Sequence, residues 1–115
     1  MNTYNVVFHV DKRDGSISVA FTNAINYANA LPDKSFSMAL VVNSVAVTEI
    51  VAENKTIGTK LEEAVKKGLQ IFVCQNALKA NSIKPELLYP QCSVVEAGIV
   101  TLVELQQKGY AYIKP

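Results

Sequence analysis

The chain has few of the residues from which metal sites, phosphate-binding loops and hydrolase sites are built. His9 is its only histidine, so with two cysteines it cannot form a four-ligand zinc site. Only Gly15 lies in the turn after the first predicted strand, whereas dinucleotide-binding and P-loop motifs need several glycines there. A Gly-x-Ser-x-Gly nucleophile elbow is absent as well. We therefore expect neither a metal nor an organic cofactor.

An excess of charge of one sign and a long apolar run are also missing. Eleven basic and ten acidic residues give a net charge of +1, which does not favour nucleic acid or an anionic membrane as a partner. The longest apolar run, Met38–Val42, is far too short to cross a bilayer, and the N-terminus lacks the pattern of a signal peptide. We expect a cytoplasmic protein that binds neither nucleic acid nor a membrane.

What the chain does have is a strong apolar content in a regular arrangement. Half of its residues are hydrophobic and 18% are charged, which is enough to bury the core of one domain over residues 1–115. Apolar runs alternate with segments whose apolar residues repeat at the helical period. This order, βαβαβαβαβ, predicts an α/β fold with a mostly parallel five-stranded sheet and helices on both faces. The strand order is left open.

Each predicted element has bounds that the structure can test. The predicted strands are 4–10, 38–42, 69–74, 92–95 and 110–113. The predicted helices are 17–31, a short helix capped by Ser44, a helix opened by a capping box at Thr59 and Glu62, 75–80 and 98–108. Gly68 and Gly109 are expected to end the helices that precede them.

Polar residues gather at the predicted carboxyl ends of the strands, where open parallel sheets bind their ligands. They are Asp11, Asn43, Ser44, Cys74, Gln75, Asn76, Glu96 and Gly98. Cys74 is the only strong nucleophile in this set. It stands where a strand ends and a helix begins, a position in which backbone N–H groups can lower the pKa of a thiol. A cysteine that ends a buried strand can equally be structural, so position alone leaves both interpretations open.

The second cysteine and the histidine have simpler interpretations. Cys92 starts the strand after the one that Cys74 ends, so the two lie at opposite edges of a parallel sheet. Five residues of strand span roughly 16 Å at about 3.3 Å each, whereas a disulfide needs Cα atoms within about 7 Å. We interpret Cys92 as a small buried apolar residue. His9, inside the first strand, is interpreted as a hydrogen-bonded core residue.

Two segments resemble a known family. In 73–83 an apolar strand is followed by a cysteine, a short helix and a polar turn, and 105–115 form a distinctive C-terminal ending. Both resemble the DsrE/DsrF-like proteins, which include the YchN-like subgroup and the TusD-type sulfur-relay subunits. The first-strand run 8–11 and the helix residues Asn23 and Asn26 agree with that subgroup.

The resemblance implies a three-layer flavodoxin-like, or Rossmann-like, fold and a homo-oligomer, either a trimer or a hexamer. It also implies that Cys74 carries sulfur as a persulfide between a donor and an acceptor protein. One turn departs from the family, because Asn43-Ser44 stands where many members have His-Gly, which removes a possible acid–base partner. The alternative is a non-catalytic oligomeric subunit or a small-molecule binding module in which Cys74 is structural.

We predict that the pocket around Cys74 is lined by polar residues from three strand ends. The predicted set is Asp11, Asn43, Ser44, Gln75 and Asn76. The last strand gives separate support to the homo-oligomer. Tyr110 and Tyr112 share one face of it, and its short apolar edge needs to be covered.

Overall fold

The computed structural model describes residues 4–115, and over that range it contains five strands and four α-helices in the predicted alternation. They are β1 (Val6–Val10), α1 (Ser16–Ala30), β2 (Met38–Val42), α2 (Gly58–Lys66), β3 (Leu69–Cys74), α3 (Gln75–Ala80), β4 (Cys92–Val95), α4 (Gly98–Gln107) and β5 (Ala111–Ile113). Short 3-10 helices occupy Ser44–Glu49, Lys55–Ile57 and Pro85–Leu87. None of the helices in residues 4–115 is long and apolar enough to cross a membrane.

All five strands are parallel and lie in the order β4-β3-β2-β1-β5. The register pairs Val10 with Val42, Val42 with Val73, and Cys74 with Val95. The carboxyl ends of β1 to β4 therefore meet at one edge of the sheet. The central strand β2 is buried along its whole length, which explains why its sequence is a continuous apolar run.

The path of the chain decides which face each helix covers. From β1 to β4 the chain moves one strand at a time, and right-handed crossovers place α1, α2 and α3 on the same face. After β4 it returns across the sheet to the far side of β1, which puts α4 on the opposite face. The larger core, with Phe21, Leu61 and Leu78, lies under the first three helices. A smaller one, with Val7, Val41 and Leu102, lies under α4.

This arrangement confirms the predicted three-layer α/β fold and supplies the strand order that was left open. The predicted bounds of β2, β3, α3 and β4 match the structure, and α1, α4, β1 and β5 differ by one or two residues at their ends. Gly68 and Gly109 follow α2 and α4 with positive φ angles of 110° and 92°, as expected for residues that end helices.

Two predicted helix caps are wrong. The chain enters α2 through the 3-10 helix Lys55–Ile57, so Thr59 is already inside the helix and cannot cap it. Ser44 is the first residue of its 3-10 helix, with a φ of 54°, instead of the residue before it. Asn43 takes the position before the helix in an extended conformation, and its side chain makes no cap there because it bonds to another strand.

Candidate functional site

Cys74 is the last residue of β3 and leads directly into α3. Its backbone is extended, with φ −72° and ψ 119°, and its side chain caps the helix. The backbone N–H of Ala77 donates a hydrogen bond to Sγ over 3.4 Å. A backbone donor of the kind expected at this junction therefore faces the sulfur. The residue is buried, with only 7% of its surface exposed.

A cavity lies beside Cys74 because the chain diverges there. β3 leads into α3 on one face of the sheet, whereas β4 leads into α4 on the other, and such a divergence opens a crevice between the two strand ends. The cavity of about 550 Å³ at this point is lined by residues that include Asn76, Val95, Glu96, Val100, Thr101 and Glu104. Val95 is the register partner of Cys74, so the cavity adjoins a direct neighbour of the cysteine in the sheet, and Cys74 itself is not one of its lining residues.

Gly98 brings α4 close to the ends of β2 and β3. A Cβ atom on Gly98 would lie 3.2 Å from the Cβ of Cys74, 3.2 Å from a methyl carbon of Val41 and 3.3 Å from the Cβ of Asn43. These distances are shorter than an ordinary carbon–carbon contact. Because Gly98 has no side chain, the start of α4 can pack against the strand ends. Cys74 and Asn43 both lie next to Gly98.

His9 connects this point to the last strand. Its Nε2 lies 2.9 Å from Oδ1 of Asn43, and its Nδ1 lies 2.6 Å from the hydroxyl of Tyr112. An amide oxygen only accepts hydrogen bonds, so Nε2 carries the proton and donates it to Asn43. In the neutral ring Nδ1 then accepts from the Tyr112 hydroxyl. These protonation assignments follow from the hydrogen-bond network.

The polar row formed by Tyr112, His9, Asn43 and Cys74 follows the order of the strands. These residues lie on β5, on β1, after the end of β2, and at the end of β3, which are successive neighbours in the sheet. His9 alternates with Phe8 and Val10, which pack under the first three helices, so it faces the side of α4. His9, interpreted from the sequence as a hydrogen-bonded core residue, therefore adjoins the candidate site. The sequence did not indicate this position.

The other predicted pocket residues are spread along the edge of the sheet. Asn76 lines the cavity, and Gln75 is the half-buried first residue of α3. Ser44 is exposed, and its carbonyl accepts a hydrogen bond from the side chain of Asn81. Asp11 lies two strands from Cys74 and pairs with Lys114, which holds the pKa of the Asp11 carboxyl below its ordinary value. The structure thus brings Asn43 and Asn76 to Cys74 and engages Asp11 elsewhere.

Cys92 is in a different environment from Cys74. It is half-buried at the start of β4, opposite Ile71, and burial raises the pKa of its thiol to about 12. Both cysteines are free thiols, as predicted. Residues 4–115 contain no group of three or more histidine, cysteine or acidic side chains placed to hold a metal ion.

A model of the DsrE/DsrF-like family matches residues 6–115. The chain belongs to the DsrE/DsrF-like family. Among solved structures, it is similar to a protein of unknown function from Methanobacterium thermoautotrophicum, with a TM-score of 0.87 and 28% identity over 97% of this chain and 99% of that one. No curated protein sequence gives a significant match.

Two further structures share the fold of this family member at lower identity. The YchN protein of Escherichia coli aligns over the full length of both chains with a TM-score of 0.77 and 16% identity. A conserved protein of unknown function from Bacteroides thetaiotaomicron has a TM-score of 0.76 and 13% identity, over 97% of this chain and 95% of the other. The family indicated by the 73–83 segment and the C-terminal ending is confirmed, and the YchN structure agrees with it in fold.

Proposed function

We propose that this DsrE/DsrF-like protein is a sulfur carrier that holds a persulfide on Cys74. The observation that carries the proposal is the placement of Sγ at the β3–α3 junction, where it accepts a hydrogen bond from the Ala77 N–H. The cavity formed by the start of α3, the end of β4 and α4 lies nearby. Membership of a family linked to sulfur relay supports the same chemistry.

The chemistry needs only exchange at sulfur. The Cys74 thiolate attacks the terminal sulfur of a donor persulfide, forming a new S–S bond while the donor's S–S bond breaks. The electron pair of the broken bond leaves on the donor sulfur as a thiolate, and the terminal proton stays on the transferred sulfur. An acceptor thiolate then repeats the step on Cys74 and returns it to a thiolate. No oxidant, metal or organic cofactor is consumed.

Two features of the site fit this exchange. The Ala77 N–H contacts the sulfur and can stabilise the anion before attack and after release. Asn76, on the cavity wall, supplies a polar contact for the donor or the acceptor. Such transfer needs reduced thiols, in keeping with the expected cytoplasmic location.

Mass spectrometry tests the proposal directly. A Cys92→Ala variant, in which Cys74 is the only thiol, is incubated with glutathione persulfide as the donor. We expect a mass increase of one sulfur atom that a reducing thiol reverses, and peptide mapping should place it on Cys74. The matched variant Cys74→Ser, which keeps Cys92, should gain none. Sulfur on Cys92, or no sulfur on Cys74, would contradict the carrier role.

The second candidate is a non-catalytic oligomeric subunit in which Cys74 is structural. It is favoured by an apolar surface on α4, where Ile99, Val100 and Val103 are 62%, 53% and 47% exposed. Alkylation with iodoacetamide separates the two functions. A carrier should be modified at Cys74 faster than a free model thiol at neutral pH, whereas equally slow labelling of both cysteines would support the structural role.

We also propose that the chain forms a homo-oligomer, a trimer or a hexamer, with the exposed apolar residues of α4 in the interface. Val103→Glu should lower the mass measured by light scattering, because it places a charge in that interface. Val19 on α1 is 48% exposed, almost the same as Val103, so Val19→Glu is a matched control that should leave the mass unchanged. A monomeric parent protein would refute the proposal.

A further inference from the structure

The cavity formed by the start of α3, the end of β4 and α4 has a charge and a shape that the sulfur exchange has not used. We infer that it docks the protein that exchanges sulfur with Cys74, by taking up a lysine or arginine side chain of that protein. The inference rests on the proposed carrier function and deepens it, because it states the charge of the partner surface that approaches the site.

The ionisable side chains on the cavity wall are both acidic. Glu96 lies between β4 and α4, and Glu104 lies within α4. Both are exposed, so their charges face solvent. Among the described residues that line the cavity, none is a lysine or an arginine. The wall therefore attracts a cation and repels an anion.

Two lysines lie on the same helix faces as the lining residues but outside the cavity wall. Lys79 follows Asn76 by three positions in α3, and Lys108 follows Glu104 by four at the end of α4. Neither is paired with a carboxylate in the part of the chain that the structure describes, where the ion pair found lies just beyond β5. The charges of the two wall glutamates are thus not neutralised by an ion pair within residues 4–115.

The apolar part of the wall fits the stem of a long basic side chain. Val95, Ala97 and Val100 line it, and Val100 is 53% exposed. Lysine and arginine carry a chain of methylene groups below the charged head, which packs on apolar surface while the head stays at a polar edge. The cavity offers this combination, with valine side chains on the wall and carboxylates from Glu96 and Glu104.

Three neighbours place the cavity next to Cys74. Val95 on its wall pairs with Cys74 in the register of the sheet, and Asn76 lies two residues after the cysteine. Gly98, which follows the lining residue Ala97, packs against the Cys74 Cβ. A basic side chain in the cavity would therefore hold the partner's surface over the β3–α3 junction. Charge pairs of this kind favour rapid encounter and choice of partner more than affinity, which suits a carrier that releases its partner after each transfer.

A second copy of this chain is the alternative occupant of this side of α4. Ile99 and Val103 lie on one stripe of the helix, whereas Val100 and Glu104 lie on the next. The second pair lines the cavity, and neither residue of the first pair does. Combining Glu96→Gln with Glu104→Gln should therefore leave the mass measured by light scattering at the parent's value. A changed mass would assign the cavity to the contact between copies and overturn the docking role.

Peptide titration followed by NMR tests the docking directly. The probe is a blocked pentapeptide, Ala-Leu-Arg-Leu-Ala, and the matched peptide carries citrulline, which has the shape of arginine without its charge. We expect the arginine peptide at millimolar concentration to shift the backbone amide signals of Asn76, Ala97 and Thr101. The citrulline peptide should shift them about a third as much or less. Equal shifts with both peptides, or none with either, would overturn the inference.

Neutralised variants show whether the two glutamates are responsible. The Glu96→Gln and Glu104→Gln double variant should bind the arginine peptide about threefold more weakly than the parent, because two exposed charge pairs are lost. The matched control combines Glu62→Gln with Glu63→Gln, which removes two exposed carboxylates from α2 and changes the net charge equally. This control should bind like the parent. Equal weakening in both double variants would attribute the binding to net charge and refute a docking cavity.

The outcomes separate this inference from the carrier proposal, because peptide binding is measured without any reaction at Cys74. If Cys74 takes up no sulfur while the arginine peptide binds in the cavity, the carrier function fails and the basic docking surface remains. If Cys74 takes up sulfur but the arginine peptide binds no better than the citrulline peptide, the carrier function stands and the docking role fails.

Discussion

Replacing Gly98 by alanine should test how closely α4 packs on the site. The new Cβ would lie 3.2 Å from carbon atoms of Cys74 and Val41 and 3.3 Å from the Cβ of Asn43, so these neighbours must move by a few tenths of an ångström. Gly98, Cys74 and Val41 are all buried, and two of the three close contacts are Cβ atoms, which follow the backbone. The change is therefore expected to cost stability and to disturb the sulfur site together.

The size of the effect follows from two opposing contributions. Overpacking a buried contact costs typically about 1–3 kcal/mol, and alanine in place of glycine in a helix returns roughly 0.5–1 kcal/mol. We expect Gly98→Ala to lower the free energy of unfolding by about 1 kcal/mol. The added methyl group also fills space next to Cys74, so iodoacetamide should react more slowly with it.

Urea unfolding and thiol labelling measure the two effects on the same samples. The midpoint should fall at an unchanged m value, which indicates a loss of stability without a change in the unfolded state. Gly58→Ala is the matched control, because Gly58 also begins a helix but its added Cβ would meet the tip of Tyr89 at 3.1 Å and not the sulfur. That variant should leave labelling unchanged. A Gly98→Ala protein with the parent's midpoint and labelling rate would refute the packing argument.

Three further predictions follow from local geometry and charge. Ser44→Gly should raise stability by up to about 1 kcal/mol in urea unfolding, because a φ of 54° is strained for serine, whereas Ser18→Gly inside α1 should lower it. Lys114→Gln should raise the pKa of Asp11 toward 3.8 in an NMR titration. Since that pair is exposed, it contributes below about 1 kcal/mol, present above pH 4 and lost as the pH falls through the lowered pKa. Burial raises the pKa of Cys92 from 9.0 to about 12, so the parent should lose stability as the pH rises through that range, and Cys92→Ala should remove this loss; an equal loss in both would contradict it.

Local sequence determined most of the elements of this protein. The bounds of β2, β3 and β4 could be predicted to the residue. For β2 the reason is that a strand buried along its whole length must be a continuous apolar run. Gly68 and Gly109 end their helices because glycine adopts a positive φ without strain, and this holds wherever the helix lies in a fold. The position of Cys74 at a strand-to-helix junction could also be predicted from local sequence, because the end of β3 and the start of α3 are adjacent in the chain.

Helix entry was less predictable, because it depends on where the preceding chain comes from. Thr59 has the spacing of a cap, yet the 3-10 helix before it had already begun the turn. Ser44 cannot cap its helix because it is the first residue inside it. Asn43, in the extended residue before the helix, makes no cap either, because its side chain accepts a hydrogen bond from His9. In both places the conformation of the chain leading into the helix decides where the helix begins, and the capping pattern does not include that part of the chain.

Tertiary structure decided what surrounds the sulfur. The order of the strands and the return of the chain after β4 place α4 on its own face, and this divergence opens the cavity beside Cys74. His9 meets Asn43 across 34 residues and Tyr112 across 103, separations at which no periodicity relates one side chain to another. A short-range pattern can specify that a cysteine ends a strand, but its neighbours come from strands and helices distant in the chain, and only the packed sheet brings them together.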